Sequence, residues 1–181
     1  MLLDSKDIKF DWQAAKFDLP DPDGKSYAID ELMGENGLLI AFVCNHCPYV
    51  KAIISHLVED AKILQEKGIG VVAISANDYK KYPEDSPPKM KLFAEKHGFT
   101  FPYLIDEEQT TARAYDAVCT PDFFGLNSSG ELQYRGRLDN LKMGHGENRV
   151  PELVNAMNLI AETGKGPREQ TASIGCSIKW K

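Results

Sequence analysis

No cluster of basic residues longer than a pair occurs in this chain, and acidic residues outnumber basic ones 27 to 21. A net charge of −6 and a pI near 5.2 give a surface that repels phosphate backbones and anionic headgroups. Nucleic acid and membrane are therefore not expected partners. Long apolar runs are missing as well. The longest, GLLIAFVC at residues 37–44, falls far short of the ~20 residues that span a bilayer. The opening MLLDSKDIKFDW puts Asp4, Lys6 and Asp7 where a secretory leader needs an unbroken apolar core, so the chain is expected to be soluble and cytoplasmic. Cysteine is scarce: Cys44, Cys47, Cys119 and Cys176 are too few in 181 residues for a disulfide framework. Internal repeats and low-complexity segments are absent. With 43% hydrophobic and 27% charged residues, the composition is that of one ordinary globular core, not a disordered chain.

What is present is a close pair of those cysteines, in AFVCNHCPYVKAI at residues 41–53. In a reducing compartment a C-x-x-C pair is more often catalytic or metal-binding than structural. The apolar run before it reads as a buried central strand. The segment after it, PYVKAIISHLVEDAKILQEKG, reads as a long helix, because Val50, Ile53, Ile54, Leu57, Val58, Ala61 and Leu64 recur at spacings of three and four. Gly68 is a good residue to end it.

Upstream, KFDL and KSYAI flank a Pro- and Gly-containing turn and predict a short β-hairpin. Downstream come a second buried strand in GIGVVAISAN, a polar Pro-rich loop, and short helices at KMKLFAEKHG and EEQTTARAYD. They are followed by a hairpin from AVCTPDFFGL through Asn127–Gly130, and by a last helix that begins at Pro151. The order predicts an α/β domain over residues 1–165, a central mixed β-sheet flanked by helices with an extra N-terminal β-hairpin. Residues 166–181 show no periodicity and are expected to pack on the domain as an irregular tail. Ligands of open α/β sheets sit beyond the carboxyl ends of the strands, which is where Cys44 and Cys47 fall.

A strand running into a Cys-containing turn and long helix, with Thr-Pro before a β-hairpin, resembles the thioredoxin-like fold. FDLPDPDGKSY, FPYLID, TPDFF and the ending GCSIKWK resemble the alkyl hydroperoxide reductase/thiol-specific antioxidant branch, most closely its peroxiredoxin-like members, over about residues 16–160. That resemblance implies a cis bond before Pro121 and a Thr120 that offers its backbone to an extended, thiol-bearing substrate. It also implies thiol chemistry with no bound cofactor: disulfide or peroxide substrates, and electrons from another thiol-redox protein.

Pro48 bears on which sulfur attacks. Proline favours the first helical position, which makes Cys47 the N-cap, close to the free N–H groups of Tyr49 and Val50. The helix dipole adds about 0.3–1 kcal/mol in favour of a thiolate there. The family register points the same way: counting from the strand-ending Phe42 lands the reactive cysteine on Cys47. Cys44 then takes the position where peroxiredoxins carry Thr or Ser. The expected assignment is therefore Cys47 as nucleophile and Cys44 as resolving thiol; the reverse assignment stays open. His46 either holds a thiolate when protonated or simply faces solvent.

An arginine that peroxiredoxins use to polarise peroxide is not found beside VCTPDFF, which favours disulfide exchange over peroxide reduction. Cys119 is expected to be a buried structural thiol, with a second redox or metal role as its alternative. Cys176 is expected to pack within the tail, with a third, resolving thiol as its alternative. A metal site built from Cys44, His46 and Cys47, perhaps with Cys119, needs further ligands, so no metal is expected. A redox-silent binding module on the same fold is the remaining class. The loop 77–88, with Tyr79, Tyr82 and the acids Asp78, Glu84 and Asp85, follows the carboxyl end of a strand and is expected to be solvated, with a rim of the active site as its alternative.

Overall fold

The computed structural model describes residues 1–181. Five strands form the central sheet in the order β6 (Tyr103–Ile105), β5 (Gly70–Ser75), β4 (Leu38–Phe42), β8 (Asp122–Leu126), β9 (Leu132–Tyr134). β4, β5 and β6 run parallel, while β8 and β9 are antiparallel to their neighbours. Alternation along β4 divides the core in two. Leu39, Ala41 and Val43 face α2 (Pro48–Glu66), α3 (Pro87–His97) and α5 (Glu152–Thr163). Leu38, Ile40 and Phe42 face the other side, with Phe17, Ile29, Tyr115 and Phe124. β4 is buried on both faces, which explains its continuous apolar sequence.

The expected hairpin is present as β2 (Asp18–Pro20) paired with β3 (Ser26–Ala28), followed by the single-turn helix α1 (Ile29–Leu32). The long helix buries the seven positions expected of it and Asp60 besides. α3 begins at Pro87, two residues ahead of the expected segment, because its first turn needs no N–H from Pro87 and Pro88. α4 (Thr110–Ala114) is a short turn of helix under the far side of the sheet.

Two expectations are corrected. The segment from Cys119 onward is not one strand: β7 (Cys119–Thr120) and β8 lie in different sheets on either side of Pro121, which has no N–H to continue a ladder. Nor is the tail irregular throughout. Ile174–Ser177 forms β10, the middle strand of a second sheet of order β1-β10-β7, with β1 at Leu2–Asp4. Its partners lie at the far end of the chain and on β7, so neither could be read from local sequence: Cys176 stands opposite both Leu2 and Thr120. Gly175 permits the close approach, since a Cβ there would stand 1.9 Å from the Thr120 carbonyl oxygen. No helix is long and apolar enough to cross a membrane.

Candidate active site

β4 ends at Phe42 and delivers Cys44, and α2 starts at Pro48 with Cys47 as its N-cap. Both cysteines are covered, Cys44 at 1% exposure and Cys47 at 0%. The Cys47 thiol makes no capping hydrogen bond; it donates to the Thr120 carbonyl oxygen at 3.3 Å. Cys44 Sγ lies 3.4 Å from Thr120 Oγ1. One residue, just before Pro121, therefore touches both sulfurs. The Thr120–Pro121 peptide bond is cis.

The two sulfurs are electrostatically unequal. A hydrogen bond from the Cys44 thiol is the largest influence on Cys47 and pulls its pKa well below the ordinary thiol range. Burial opposes this shift, while the Cys176 thiol and the backbone N–H groups of Val50 and Cys176 reinforce it. Val50 is the third residue of the helix, so its N–H supplies the expected field of the helix start. Cys44 moves the opposite way, held protonated by its hydrogen bond to Cys47, then by burial and by the charge of Asp85.

The structure does not aim His46 at a sulfur. Its Nδ1 donates to Asp85 Oδ2 at 2.5 Å, and its ring stacks parallel to that of Tyr82 at 5.9 Å. Asp85 belongs to the loop expected to be solvated, and this too is corrected: its side chain is fully buried. Oδ1 accepts from the Asn45 backbone N–H at 2.8 Å, and Oδ2 accepts from Asn77 at 3.0 Å. Asn45 in turn donates to the Glu84 carbonyl and accepts from the Tyr103 hydroxyl. The turn between the two cysteines is thus braced from below by the 77–88 segment. An acidic residue that caps a neighbouring turn from a polar, Pro-rich loop leaves no local signature.

Thr120 departs from its expected role as well. Its backbone is already paired, residue against residue, with Cys176 of β10. Cys119, on the opposite face, is buried and donates to the Pro121 carbonyl at 3.6 Å; burial first, then Asp122, raises its pKa. Arg135 is buried against Asp122 at 2.9 Å and also donates to the Asp116 carbonyl, while Arg137 pairs with Glu152, so neither is among the groups bonded to the sulfurs. For a metal, Cys44, His46 and Asp85 bring one ligand atom each within 4.8 Å of one another. A closed tetrahedral site needs a fourth ligand, and the Asp85 oxygens are already acceptors.

The AhpC/TSA family model matches residues 11–135. The thiol-disulfide oxidoreductase ResA of Halalkalibacterium halodurans is 28% identical over 66% of this chain, and the match spans 64% of that relative's length. Peroxiredoxin Bcp of Escherichia coli K12 is 26% identical over 65% of this chain and 70% of its own. Among solved structures, an uncharacterized conserved protein from Geobacillus kaustophilus is similar over 100% of this chain and 97% of its own, with 40% identity and a TM-score of 0.94. The thioredoxin domain of a Bacteroides vulgatus thiol-disulfide oxidoreductase, covering 86% of this chain and 99% of its own, shares the fold at a TM-score of 0.66 and 14% identity. The fold is thioredoxin-like, and the chain belongs to the AhpC/TSA family.

Proposed function

We propose that the protein is a thiol:disulfide oxidoreductase in which Cys47 attacks and Cys44 resolves. The Cys47 thiolate attacks one sulfur of a protein or small-molecule disulfide. A new S–S bond joins it to the substrate, and the other substrate sulfur leaves as a thiolate that solvent protonates. Cys44 then gives up its proton and attacks Cys47 Sγ, closing the Cys44–Cys47 disulfide and expelling the second substrate thiol. Two electrons have passed to the substrate. A thiol-redox electron donor, in the cytoplasm on this reading, returns them by the same exchange in reverse, without a bound cofactor.

The observation that carries this reading is the division of labour between the sulfurs. Cys47 is stabilised as an anion at a helix start while its hydrogen-bond donor, Cys44, is held as a thiol. A cavity of about 410 Å³ opens beside Pro121, bounded by Tyr49, Ile53, Phe123, Leu138 and Ile174, and fits the apolar flank of a disulfide-bearing partner. Dithiol-driven insulin reduction tests the proposal. Wild type turns over, Cys47→Ser does not, and equal activity in the two removes the idea.

The kinship with a peroxiredoxin favours a second reading, a thiol peroxidase in which Cys47 becomes a sulfenic acid that another cysteine resolves. Against it stand Cys44 in place of a hydroxyl residue and the two arginines committed elsewhere. Consumption of micromolar peroxide at rates that outrun disulfide exchange would establish it.

A further inference from the structure

Thr120 is the reference point for a third sulfur. Residues directly opposite each other in an antiparallel pair carry their side chains on one face. Thr120 turns its hydroxyl toward Cys44, so Cys176, its partner across β7 and β10, also points into the site. Cys119 and Ser177 form the next pair and face away. The Cys176 thiol and backbone N–H both favour the thiolate form of Cys47, and Cys176 packs against the core cluster that holds Cys44 and Cys47. Unlike those two, it is only partly buried.

We propose that Cys176 is a second resolving thiol for Cys47, so that oxidation produces a Cys47–Cys176 disulfide in competition with Cys44–Cys47. The proposal rests on Cys47 being the nucleophile. Once Cys47 has formed a mixed disulfide with a substrate thiol, Cys176 loses its proton to solvent and its sulfur attacks Cys47 Sγ. The substrate leaves as a thiolate, the Cys47–Cys176 bond forms, and the net result is one disulfide reduced to two thiols at the expense of two protein thiols.

The two candidate resolvers differ in how readily they ionise at that stage. The mixed disulfide carries no charge on Cys47, which removes that contribution from both. Cys44 keeps its burial and the charge of Asp85. Cys176, raised to about 11 by burial and then by its bond to Cys47, keeps only the burial, opposed by Lys179 and the N-terminal amine. It also has solvent within reach for its proton.

The test uses oxidised glutathione on the full chain, followed by tryptic mapping without reduction. Cys44 and Cys47 lie in one peptide, residues 26–51, and Cys176 in another, residues 169–179. A Cys47–Cys176 bond links the two peptides, whereas Cys44–Cys47 leaves them separate. The link is expected in wild type and as the main product in Cys44→Ser, and it is expected to vanish in Cys176→Ser. Its absence from wild type at every stage of oxidation overturns the proposal. So does a lasting glutathione adduct on Cys47 in Cys44→Ser with Cys176 still free. The double variant Cys44→Ser/Cys176→Ser separates the two ideas. A glutathione adduct on its Cys47 upholds the nucleophile whatever Cys176 does, and no adduct there removes the nucleophile and the second resolver together.

Discussion

His46 turns its Nδ1 to Asp85 Oδ2, 2.5 Å away, and so spends its hydrogen bond on the loop beneath the site instead of on a sulfur. The consequence reaches Cys44 through Asp85, whose charge is the third largest of four influences that raise that thiol, after the bond to Cys47 and burial. With Cys44 as the only cysteine left, Asp85→Asn is expected to shift its alkylation midpoint to lower pH, and an unchanged midpoint denies Asp85 that part. Asp85→Ala also orphans the Asn45 N–H and the Asn77 amide. Denaturant titration should show a loss of about 1–3 kcal/mol for each buried group left unpaired.

The Cys44 hydrogen bond to Cys47 carries a second expectation. Hydrogen bonds to charged groups contribute about 1.5–3 kcal/mol, which is about 1 to 2 pH units in a thiol midpoint. Cys44→Ala should raise the midpoint of Cys47 by that much, and Cys44→Ser, which keeps a donor, should raise it less. Iodoacetamide rates across pH 4–9 give both values. Stability follows with a definite sign. A thiol whose folded pKa is lowered stabilises the fold above its ordinary pKa of about 8.5, and that gain is lost as pH falls toward the folded value. The stability of wild type over Cys47→Ser should therefore grow between pH 6 and 8, at no more than about 1.4 kcal/mol per pH unit. The raised Cys44 adds nothing in that window, since its contribution is constant below the ordinary thiol pKa. A difference that stays flat or shrinks with pH contradicts the lowered pKa.

How much of this site could be read in advance depended on how local its causes are. Pro48 is a local cause: it sets the helix start, so Cys47 could be placed at the N-cap from four letters of sequence. The buried stripe of α2 and the two-sided burial of β4 are likewise set by periodicity within one element. Asp85 and Cys176 act through partners 40 and 56 residues away (Asn45 and Thr120), so the sequence offers Cys176 as a third thiol without placing it and leaves Asp85 as one of three acids in its loop. β10 does carry a period-two signal, Ala172, Ile174, Cys176 and Ile178 alternating with Ser173, Gly175, Ser177 and Lys179, so a strand was legible there; what the local sequence does not show is that β1 and β7 flank it on both sides. His46 shows the converse failure. Its position inside the C-x-x-C guaranteed nearness to the sulfurs, but the direction of a side chain depends on its partner, and the partner was a loop carboxylate.

Arg149 clamps the segment that rims the cavity beside Pro121. It donates to Asp60 of α2 at 2.5 Å and to Asp139 at 2.7 Å, with His56 a further 3.7 Å from Asp139. Asp60 is buried, and burial pushes its pKa up against the pull of Arg149. Removing one partner of a buried pair leaves an uncompensated charge, a cost of about 3–5 kcal/mol. Arg149→Met should show a loss near that range in urea unfolding. Asp60→Asn together with Arg149→Met should recover part of it, because one of the two orphaned carboxylates, Asp60 and Asp139, is gone. A double variant no more stable than the single one would place the cost in lost packing instead.

Gly175 is where β10 can be tested as the cover of Cys47. A methyl group there would meet the Thr120 carbonyl oxygen at 1.9 Å, its carbon at 2.5 Å and the Pro121 nitrogen at 3.0 Å, all backbone atoms that cannot swing aside. Gly175→Ala must therefore lift β10 from β7, at a cost of about 1–3 kcal/mol typical of overpacking. Ile174→Ala, one residue earlier on a side chain that is already exposed, leaves the strand seated and serves as the control. Cys47 has no exposed surface beneath the seated strand, so a bulky maleimide should label it slowly in wild type and in the control, and faster in Gly175→Ala. Cys176 should become more reactive in the same variant, because lifting the strand uncovers its sulfur and takes it away from Cys47, and burial and Cys47 are what raise its pKa. Equal labelling of Cys47 in all three proteins would mean that reagents reach the sulfur by another route, and the tail strand would then be a fastening of the fold with no part in guarding the site.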